Sequence, residues 1–266
     1  MIGFMKISIV TACYNSEATI RDTLASVAAQ DWDDIEHVII DGGSKDGTLA
    51  IIREFANDRM RLVSEPDKGI FDAMNKGLRL ATGDAIGFLN SDDFFCREDA
   101  VRLLAERLEA SGADAVVGNV ALVDPEDLSK VRRYYAVENY RPWMMRFGHM
   151  PPHPTLYIRK EMFDRIGEFD DSYRVSGDFD LAVRLVLTEK ARIEKVSATL
   201  VGFRDGGNST KDLDAKVRMN REIQRSLRHY GYRTSIAKLY ARYAIKAFQY
   251  VARPRDYEVP AYIGRP

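Results

Sequence analysis

The sequence predicts an α/β protein with a mostly parallel sheet flanked by helices, followed by a C-terminal helical extension. In the first half of the chain, β-branched apolar runs alternate with segments of helical periodicity, which indicates strands joined by helices. The 266 residues are 45% hydrophobic and 30% charged, as is typical of a soluble globular chain. The last quarter changes character and becomes strongly basic.

The elements of the first half can be assigned in order along the chain. Ser16 is the expected N-cap of the first helix, in which Ile20, Leu24 and Val27 share one face. Gly83 is expected to close a later helix. Another helix is predicted over 178–190. The four predicted strands span 6–11, 36–41, 60–65 and 85–90.

Polar residues stand where these strands end. Parallel sheets of this kind bind ligands beyond the carboxyl ends of their strands. Thr11, Asp41, Glu65 and the pair Asp92–Asp93 all fall at such ends. This edge of the sheet is therefore the expected site.

Asp92 and Asp93 are adjacent acids directly after an apolar strand. Two carboxylates at such a position suit a hard divalent cation, which takes oxygen ligands and offsets their repulsion. Magnesium or manganese there is commonly completed by substrate phosphates, so a diphosphate leaving group is the natural partner. The alternative is that the pair only caps the following helix.

The loop after the first strand carries Tyr14 and Asn15 just before a helix N-terminus, which favours an anion. It has neither the G-x-G-x-x-G of a dinucleotide site nor the G-K-[ST] of a P-loop. A nucleotide would then need an aromatic ring and a carboxylate for its base, and Tyr14 and Asp41 are candidates. Alternatively, Asp41 is a turn residue before Gly42 and Gly43.

The C-terminal segment is expected to be a separate unit. We divide the chain into one α/β domain, 1–210, and a basic amphipathic helical tail, 211–266. Residues 216–255 hold 11 Lys and Arg and one acid, Glu222. Lys238, Arg242 and Lys246 recur every fourth residue beside an apolar face containing Ile236, Leu239, Tyr240, Tyr243, Ala247 and Val251. This pattern suits a helix on an anionic membrane surface, or equally a helix docked on the domain.

Other features bear on location and partners. Cys13 and Cys96 form no disulfide framework, and the N-terminus lacks the features of a signal peptide. We therefore expect a cytoplasmic protein, with peripheral attachment to the inner face of the cell membrane as an option. No nucleic-acid partner is expected, because the tail contains no recognised module. Trp143, in an aromatic loop, could meet a lipid-linked acceptor or belong to a core.

Five segments occur in an ordered series: "SIVTACYN", "VIIDGGSKDGT", "SEPDKGIFDAMNKGLRLATGD", "IGFLNSDD" and "SGDFDLAVRL". In sequence and spacing they resemble the family 2 glycosyltransferases of bacterial cell-surface polysaccharide synthesis, over residues 6–205. The resemblance implies the GT-A fold, a Rossmann-like, mostly parallel sheet. It also implies inverting, Mn²⁺- or Mg²⁺-dependent transfer from a nucleoside diphosphate sugar, with a UDP-sugar favoured. The acceptor hydroxyl would belong to a saccharide or a lipid-linked molecule.

The resemblance also assigns roles on the nucleotide side. Thr11, Tyr14 and Asn15 match the loop around the base, and Asp41 matches the acid that reads the base. Lys68, in "EPDKG", matches a contact to nucleotide or phosphate, or it is a solvated loop lysine.

Further residues match the donor and metal positions. Asp72 and Asn75 would line the donor pocket, although helix-face polarity explains them almost as well. Asp93 matches the direct metal ligand, and Asp92 would contact ribose or reach the metal through water. The sequence departs from the family pattern at Asn90 and Ser91, where the first acid is expected.

Asp178 matches the catalytic base that deprotonates the acceptor hydroxyl, although Gly177 replaces the glutamate usual before it. The alternative makes Asp178 a helix N-cap. His153, between prolines, could contact the acceptor, the donor sugar or the diphosphate, or be structural. Two other functions stay open at this point: a catalytically silent nucleotide- or carbohydrate-binding homologue, and a sugar nucleotidylyltransferase.

Overall fold

A computed structural model gives the fold and describes residues 5–206, 213–242 and 254–263. The strands are Ile7–Cys13 (β1), Ile35–Asp41 (β2), Met60–Ser64 (β3), Ala85–Phe88 (β4), Phe94–Phe95 (β5), Ala115–Val123 (β6), Val131–Tyr135 (β7), Tyr157–Arg159 (β8) and Ile193–Arg204 (β9). The helices are Ile20–Ala28 (α1), Thr48–Glu54 (α2), Ile70–Leu80 (α3), Ala100–Ser111 (α4), Lys160–Ile166 (α5), Gly177–Val183 (α6) and Leu213–His229 (α7). A π-helical turn, Arg184–Thr188, continues α6, and short 3₁₀ helices span Val137–Asn139, Pro142–Phe147 and His153–Thr155.

The strands form one mixed sheet, which confirms the predicted α/β class with helices around the sheet. Its order is β3-β2-β1-β4-β8-β6-β9-β5, with β7 paired to β6. The first four strands in this order are mutually parallel. β8 is antiparallel to both of its neighbours, so the sheet is parallel mainly in its first half.

The register brings the carboxyl ends of the parallel strands together. Cys13 of β1 lies beside Asp41 of β2, which in turn lies beside Ser64 of β3. Phe88 ends β4 beside Val10, so the chain from Leu89 onward runs alongside the end of β1. The expected site edge is therefore present.

Two predicted helix boundaries are wrong. α1 begins at Ile20 with Thr19 before it, and the Ser16 side chain bonds to Ser91 and to the Tyr14 carbonyl instead of capping the helix. α3 ends at Leu80 with Ala81 at its C-cap, ahead of Gly83. At Gly83 a Cβ atom would lie 2.7 Å from the Ser8 backbone nitrogen, so this glycine permits close packing on β1.

The sheet has a hydrophobic core on each side. The larger cluster joins β1, β2 and β4 to α3, α5 and α6, and the second joins the sheet to α4. Within the larger cluster the Phe88 and Phe169 rings meet edge to face with centroids 4.9 Å apart. This packing fixes the base of α3 and α6, the two helices that border the site.

The described part of the C-terminal segment packs on the rest of the chain. In the helical stretch 236–242, Leu239 and Arg242 are buried, and the Arg242 guanidinium donates to the Gly148 carbonyl and to Asn220. Arg242 therefore does not belong to a solvated basic face. Ile236 and Tyr240 are exposed. The predicted domain boundary at 210, and the predicted tail positions from Tyr243 to Val251, lie outside the described residues.

Candidate active site

The loop after β4 holds the predicted metal residues. Thr23 of α1 donates to the Asp93 carbonyl at 2.7 Å, and the backbone N–H of Arg204 donates to the Asp93 carboxylate at 3.3 Å. The Arg204 guanidinium donates to the Asp92 carbonyl and lies 5.2 Å from the centre of the Phe94 ring. Arg204 thus ties the end of β9 to the acidic loop. The sequence analysis missed it, because nothing along the chain links residues 93 and 204.

The acids of this loop are electrostatically unfavourable as they stand. Burial raises the pKa of Asp93 well above its usual range, and the neighbouring Asp92 charge raises it further. Burial also raises the pKa of Asp92. Asp93 is fully buried, whereas Asp92 is half-buried. Access to a ligand therefore favours Asp92 over Asp93, and direct metal contact by Asp93 stays a prediction.

Asn90 stands where the family's first acid is expected. Its Nδ2 lies 3.5 Å from the Asp93 carboxylate as a donor. Its buried Oδ1 has no hydrogen-bond partner among the described residues. A buried amide oxygen without a donor is costly unless a ligand supplies one. Amide and carboxylate oxygens are also the ligands of hard divalent cations, so this donor set fits such an ion. Within 5–206, 213–242 and 254–263, no group of three or more His, Cys, Asp or Glu could hold a metal alone.

The Asp41 carboxylate is buried and well provided with donors. It accepts from the backbone N–H of Gly43 at 3.1 Å and of Ser44, from the Ser44 hydroxyl, and from the Ser64 hydroxyl at 2.6 Å. These bonds form the turn after β2 and join it to β3. The turn role of Asp41 is therefore visible in the fold, and its contact with a base stays a prediction.

The N-terminal loop presents Tyr14 to solvent, with 59% of its side chain exposed. Asn15 adopts a positive φ of 49° and accepts from the Lys45 backbone N–H at 2.9 Å, which joins the turns after β1 and β2. The Thr11 side chain is fully buried, and its hydroxyl lies 3.0 Å from His37 Nε2. It is therefore not part of the surface that Tyr14 and Asn15 form.

Asp67 is a candidate that the sequence analysis did not single out. A Cβ atom at Gly42 would collide with the Asp67 carboxylate and lie 3.4 Å from the Tyr14 ring. The carboxylate and the ring therefore flank the same glycine. The available signal was the position of Asp67 in "EPDKG", directly after β3.

The residues around α3 divide between two roles. Lys68 and Asp72 line a cavity of about 430 Å³, and the Lys68 backbone N–H donates to the Asp72 carboxylate at 3.0 Å. Asn75 is buried, and its amide makes two 2.8 Å bonds with the backbone of Phe169. Asn75 thus anchors the segment before α6, and its predicted contact with the donor is untested.

Asp178 stands in the first turn of α6 and lines the same cavity. Burial raises the pKa of Asp178 to about 6, and the nearby Glu222 charge also acts to raise it. A backbone hydrogen bond from Phe179 at 2.7 Å acts in the opposite direction. A Cβ at Gly177 would lie 2.8 Å from the Phe71 ring. The glycine is needed for this packing, so the aromatic ring occupies the space beside the predicted base.

Helix α7 holds the segment before Asp178 in place. The Glu222 carboxylate accepts from the backbone N–H groups of Arg174, Val175 and Ser176 at 3.0, 2.9 and 2.8 Å. Ser226 donates to Asp180 at 2.7 Å, and Arg218 lines the cavity. The start of the predicted tail is thus part of the site, and Glu222 and Arg218 were not among the predicted residues.

His153 packs between the sheet and the cavity. Its ring stacks on Phe88 with centroids 5.7 Å apart, and burial lowers its pKa to about 4. Its Nε2 is buried without a hydrogen-bond partner in the described part of the chain. His153 is therefore neutral, and it lines the same cavity as Asp178.

The 430 Å³ cavity brings together several of the predicted residues, namely Lys68, Asp72, Asn90, His153 and Asp178. Tyr14, Asn15 and Asp41 form a neighbouring group at the ends of β1 and β2. A 2.9 Å bond between Ser16 and Ser91 joins this group to the acidic loop. Thr11 and Asn75 are turned into the fold and do not join either group.

Comparison with known proteins identifies the family. The model of glycosyl transferase family 2 matches residues 8–167. A PGL/p-HBAD biosynthesis glycosyltransferase of Mycobacterium tuberculosis is 33% identical over 181 residues, 66% of this chain and 68% of the relative. The chain belongs to glycosyl transferase family 2. It is therefore a glycosyltransferase, as the resemblance implied.

Other family 2 relatives and solved structures agree with the fold. The succinoglycan biosynthesis protein ExoO of Rhizobium meliloti is 28% identical over 76% of this chain and 62% of its own. S. aureus TarS in complex with UDP-GlcNAc superposes with a TM-score of 0.66 at 20% identity, over 92% and 73% of the two chains. The mannosyltransferase PcManGT from Pyrobaculum calidifontis, with GDP-Man and Mn²⁺, gives 0.62 at 18%, over 91% and 70%. These matches confirm the GT-A prediction.

Proposed function

We propose that this glycosyltransferase moves a sugar from a UDP-sugar to an acceptor hydroxyl with inversion at the anomeric carbon. The observation that carries the proposal is one cavity lined by Asp178, Asn90, Lys68, Arg174 and Arg218. A carboxylate base and several cations in one cavity suit deprotonation of a hydroxyl beside a departing diphosphate. The complexes of TarS with UDP-GlcNAc and of PcManGT with GDP-Man support a nucleotide-sugar donor.

The nucleotide is proposed to lie across the ends of β1 to β3. The exposed Tyr14 ring would stack on the base, and Asp41 or Asp67 would accept from its N–H. Asn15 and backbone groups near Thr11 would shape the loop around it. The diphosphate would then lie toward Lys68, Asp72 and Arg218, at the polar mouth of the cavity.

A divalent cation, Mn²⁺ or Mg²⁺, is the proposed cofactor. Asp92, Asn90 Oδ1 and the buried Asp93 are the residues that would hold it, because the Asn90 oxygen has no donor among the described residues and burial raises the pKa of both acids. The ion would supply positive charge to the leaving diphosphate. The PcManGT complex with Mn²⁺ supports this part of the proposal.

Asp178 is the proposed general base. With a pKa of about 6 it is ionised at neutral pH and basic enough to take a proton from a hydroxyl. The acceptor oxygen bonds to the anomeric carbon as its proton passes to Asp178. The bond from that carbon to the diphosphate oxygen breaks on the opposite face, and nucleoside diphosphate leaves. Glu222 holds the start of α6 so that the carboxylate stays in place.

The test is nucleotide release from a panel of UDP- and GDP-sugars in the presence of Mn²⁺, with water as the acceptor. We expect slow release from UDP-sugars only, and faster release once a suitable acceptor is added. Absence of release from every donor contradicts the proposal, as does conversion of a donor and added pyrophosphate to a nucleoside triphosphate and a sugar 1-phosphate. The second outcome would revive the nucleotidylyltransferase alternative, to which the family match gives no support.

The pathway and the location are proposed more coarsely. The names of two relatives connect those proteins to PGL/p-HBAD biosynthesis and to succinoglycan biosynthesis, and for this chain we propose a role in polysaccharide or glycolipid assembly. No helix of the described residues is long and apolar enough to cross a membrane. Exposed Ile236 and Tyr240 flank Lys238, and we propose peripheral contact with an anionic membrane there. Pelleting with phosphatidylglycerol vesicles, but not phosphatidylcholine vesicles, would support it, and no pelleting would contradict it.

A further inference from the structure

A second cavity opens on the other side of the wall that contains Asp178. Its volume is about 200 Å³. His153, Pro154, Asp178 and Phe203 line both this cavity and the 430 Å³ cavity. A group bound in the smaller cavity would therefore lie next to the proposed base, where the acceptor must be.

The walls of the two cavities differ in chemistry. The larger one carries Lys68, Asp72, Arg174 and Arg218, as a charged donor requires. The smaller one is lined largely by apolar side chains: Val120, Leu122, Tyr135, Met150, Pro151 and Pro152. Burial of an apolar ligand group in this cavity would be favourable, and burial of hydroxyl groups would be unfavourable.

Polar groups near the smaller cavity are mostly engaged within the fold. The Tyr135 hydroxyl donates to the Met150 carbonyl at 2.8 Å, so this side chain offers the cavity its ring. Arg133 and His149 also reach the cavity, and each has an interaction of its own. Asp178 and His153 both line this cavity, and the Asp178 carboxylate suits a single hydroxyl.

The size and polarity limit what can bind. An apolar cavity of about 150 Å³ stays dry and holds a benzene-sized molecule. A sugar ring placed there would lose water from several hydroxyls, at about 1–3 kcal/mol for each hydroxyl left unpaired. An aromatic ring or a short alkyl branch has no hydroxyl groups to leave unpaired, so its binding does not carry this cost.

We propose that the acceptor carries an apolar, ring-sized aromatic or alkyl group next to the hydroxyl that receives the sugar. This group occupies the cavity lined by Leu122, Tyr135 and Met150. The inference rests on the proposed function, because it takes Asp178 as the base. It selects an apolar or lipid-linked acceptor over a fully hydroxylated saccharide.

The test is saturation-transfer NMR on protein saturated with UDP and Mg²⁺, which is diamagnetic. Para-propylphenol is the apolar probe, and methyl β-glucopyranoside is the hydroxylated probe at the same concentration. We expect saturable binding of para-propylphenol only. Saturable binding of the glucoside, or no binding of para-propylphenol, would overturn the inference.

Variants locate the probe. Leu122→Asn and Met150→Gln keep the side-chain size, add polar groups to the cavity, and should each weaken para-propylphenol binding about tenfold, or 1.4 kcal/mol. Leu103→Asn is the matched control, because Leu103 packs on the same cluster as Leu122 but does not line the cavity. Circular dichroism melting shows which variants are folded. Equal binding by all three folded variants would overturn the inference.

The UDP titration of the same samples separates the two proposals. If UDP binds and para-propylphenol does not, the acceptor inference fails alone. If para-propylphenol binds at the cavity and UDP does not bind, the proposed donor site fails.

Discussion

Two turns that contain acidic residues lie at the same edge of the sheet, and they differ in how far the fold compensates their charge with hydrogen-bond donors. Asp41, after β2, accepts hydrogen bonds from Gly43, Ser44 and Ser64. Asp92 and Asp93, after β4, repel each other, have raised pKa values, and adjoin an Asn90 oxygen without a partner in the described residues. The first turn is complete without a ligand. The second is a site whose charge and hydrogen bonding call for one.

The same contrast recurs within one turn of α6. Asp180 is buried and bonds to Arg184 at 3.2 Å and to Ser226 at 2.7 Å. Asp178 accepts one backbone bond from Phe179, and its pKa is raised to about 6. Within this helix, Asp180 joins elements through its two partners, whereas Asp178 lines the cavity.

The largest expected effect separates these two acids. Asp178→Asn should lower kcat roughly 10²- to 10⁴-fold, the range for loss of a general base, with UDP affinity and melting temperature nearly unchanged. Asp180→Asn should instead lower the melting temperature, because half-buried Arg184 loses its charge partner.

Asp171→Asn is the matched control for Asp178→Asn, since Asp171 is an exposed carboxylate on the same cavity. Its kcat should match that of the wild type. A kcat for Asp178→Asn within a few-fold of the wild-type value would remove Asp178 from the role of base.

The second prediction concerns Asp41. Asp41→Asn should lower the free energy of unfolding by about 1–3 kcal/mol, because buried donors from the turn lose acceptors. Chemical denaturation measures this, and UDP titration of the folded variant shows whether Asp41 also reads the base. Unchanged stability with a large loss of UDP affinity would place Asp41 among the ligand-binding acids and break the comparison.

The smallest expected effect is on pH dependence. Protonated Asp178 cannot accept a proton, so kcat/KM should fall about tenfold per pH unit below pH 6. Because the Glu222 charge raises this pKa, Glu222→Gln should move the acid limb to lower pH. Rate profiles of the wild type and the variant measure both. If the acid limb of the kcat/KM profile lies at the same pH in Glu222→Gln as in the wild type, burial and not the Glu222 charge sets the pKa of Asp178.

The sequence predicted the parallel half of the fold well, because β-branched runs, helical periodicity and turns are local signals. It also named Asp92, Asp93 and Asp178 as candidates, because their segments resemble the family, and their roles stay predictions. It did not predict that Arg204 binds the acidic loop or that Glu222 binds the segment before α6, since each contact joins distant parts of the chain. The outward face expected for Arg242 was wrong, because Gly148 and Asn220 offer buried acceptors that periodicity does not reveal.

The central claim is that the unsatisfied acidic turn, and not the Asp41 turn, requires a cation and a diphosphate. Calorimetric titration of UDP in Mn²⁺ and in chelator, on the wild type and on Asp92→Asn, tests it most directly. We expect binding by the wild type in Mn²⁺, little binding in chelator, and an affinity lower by at least roughly 10- to 100-fold in Asp92→Asn, the range that even outer-shell metal partners cost. Equal UDP affinity with and without metal, unchanged by Asp92→Asn, would contradict the account.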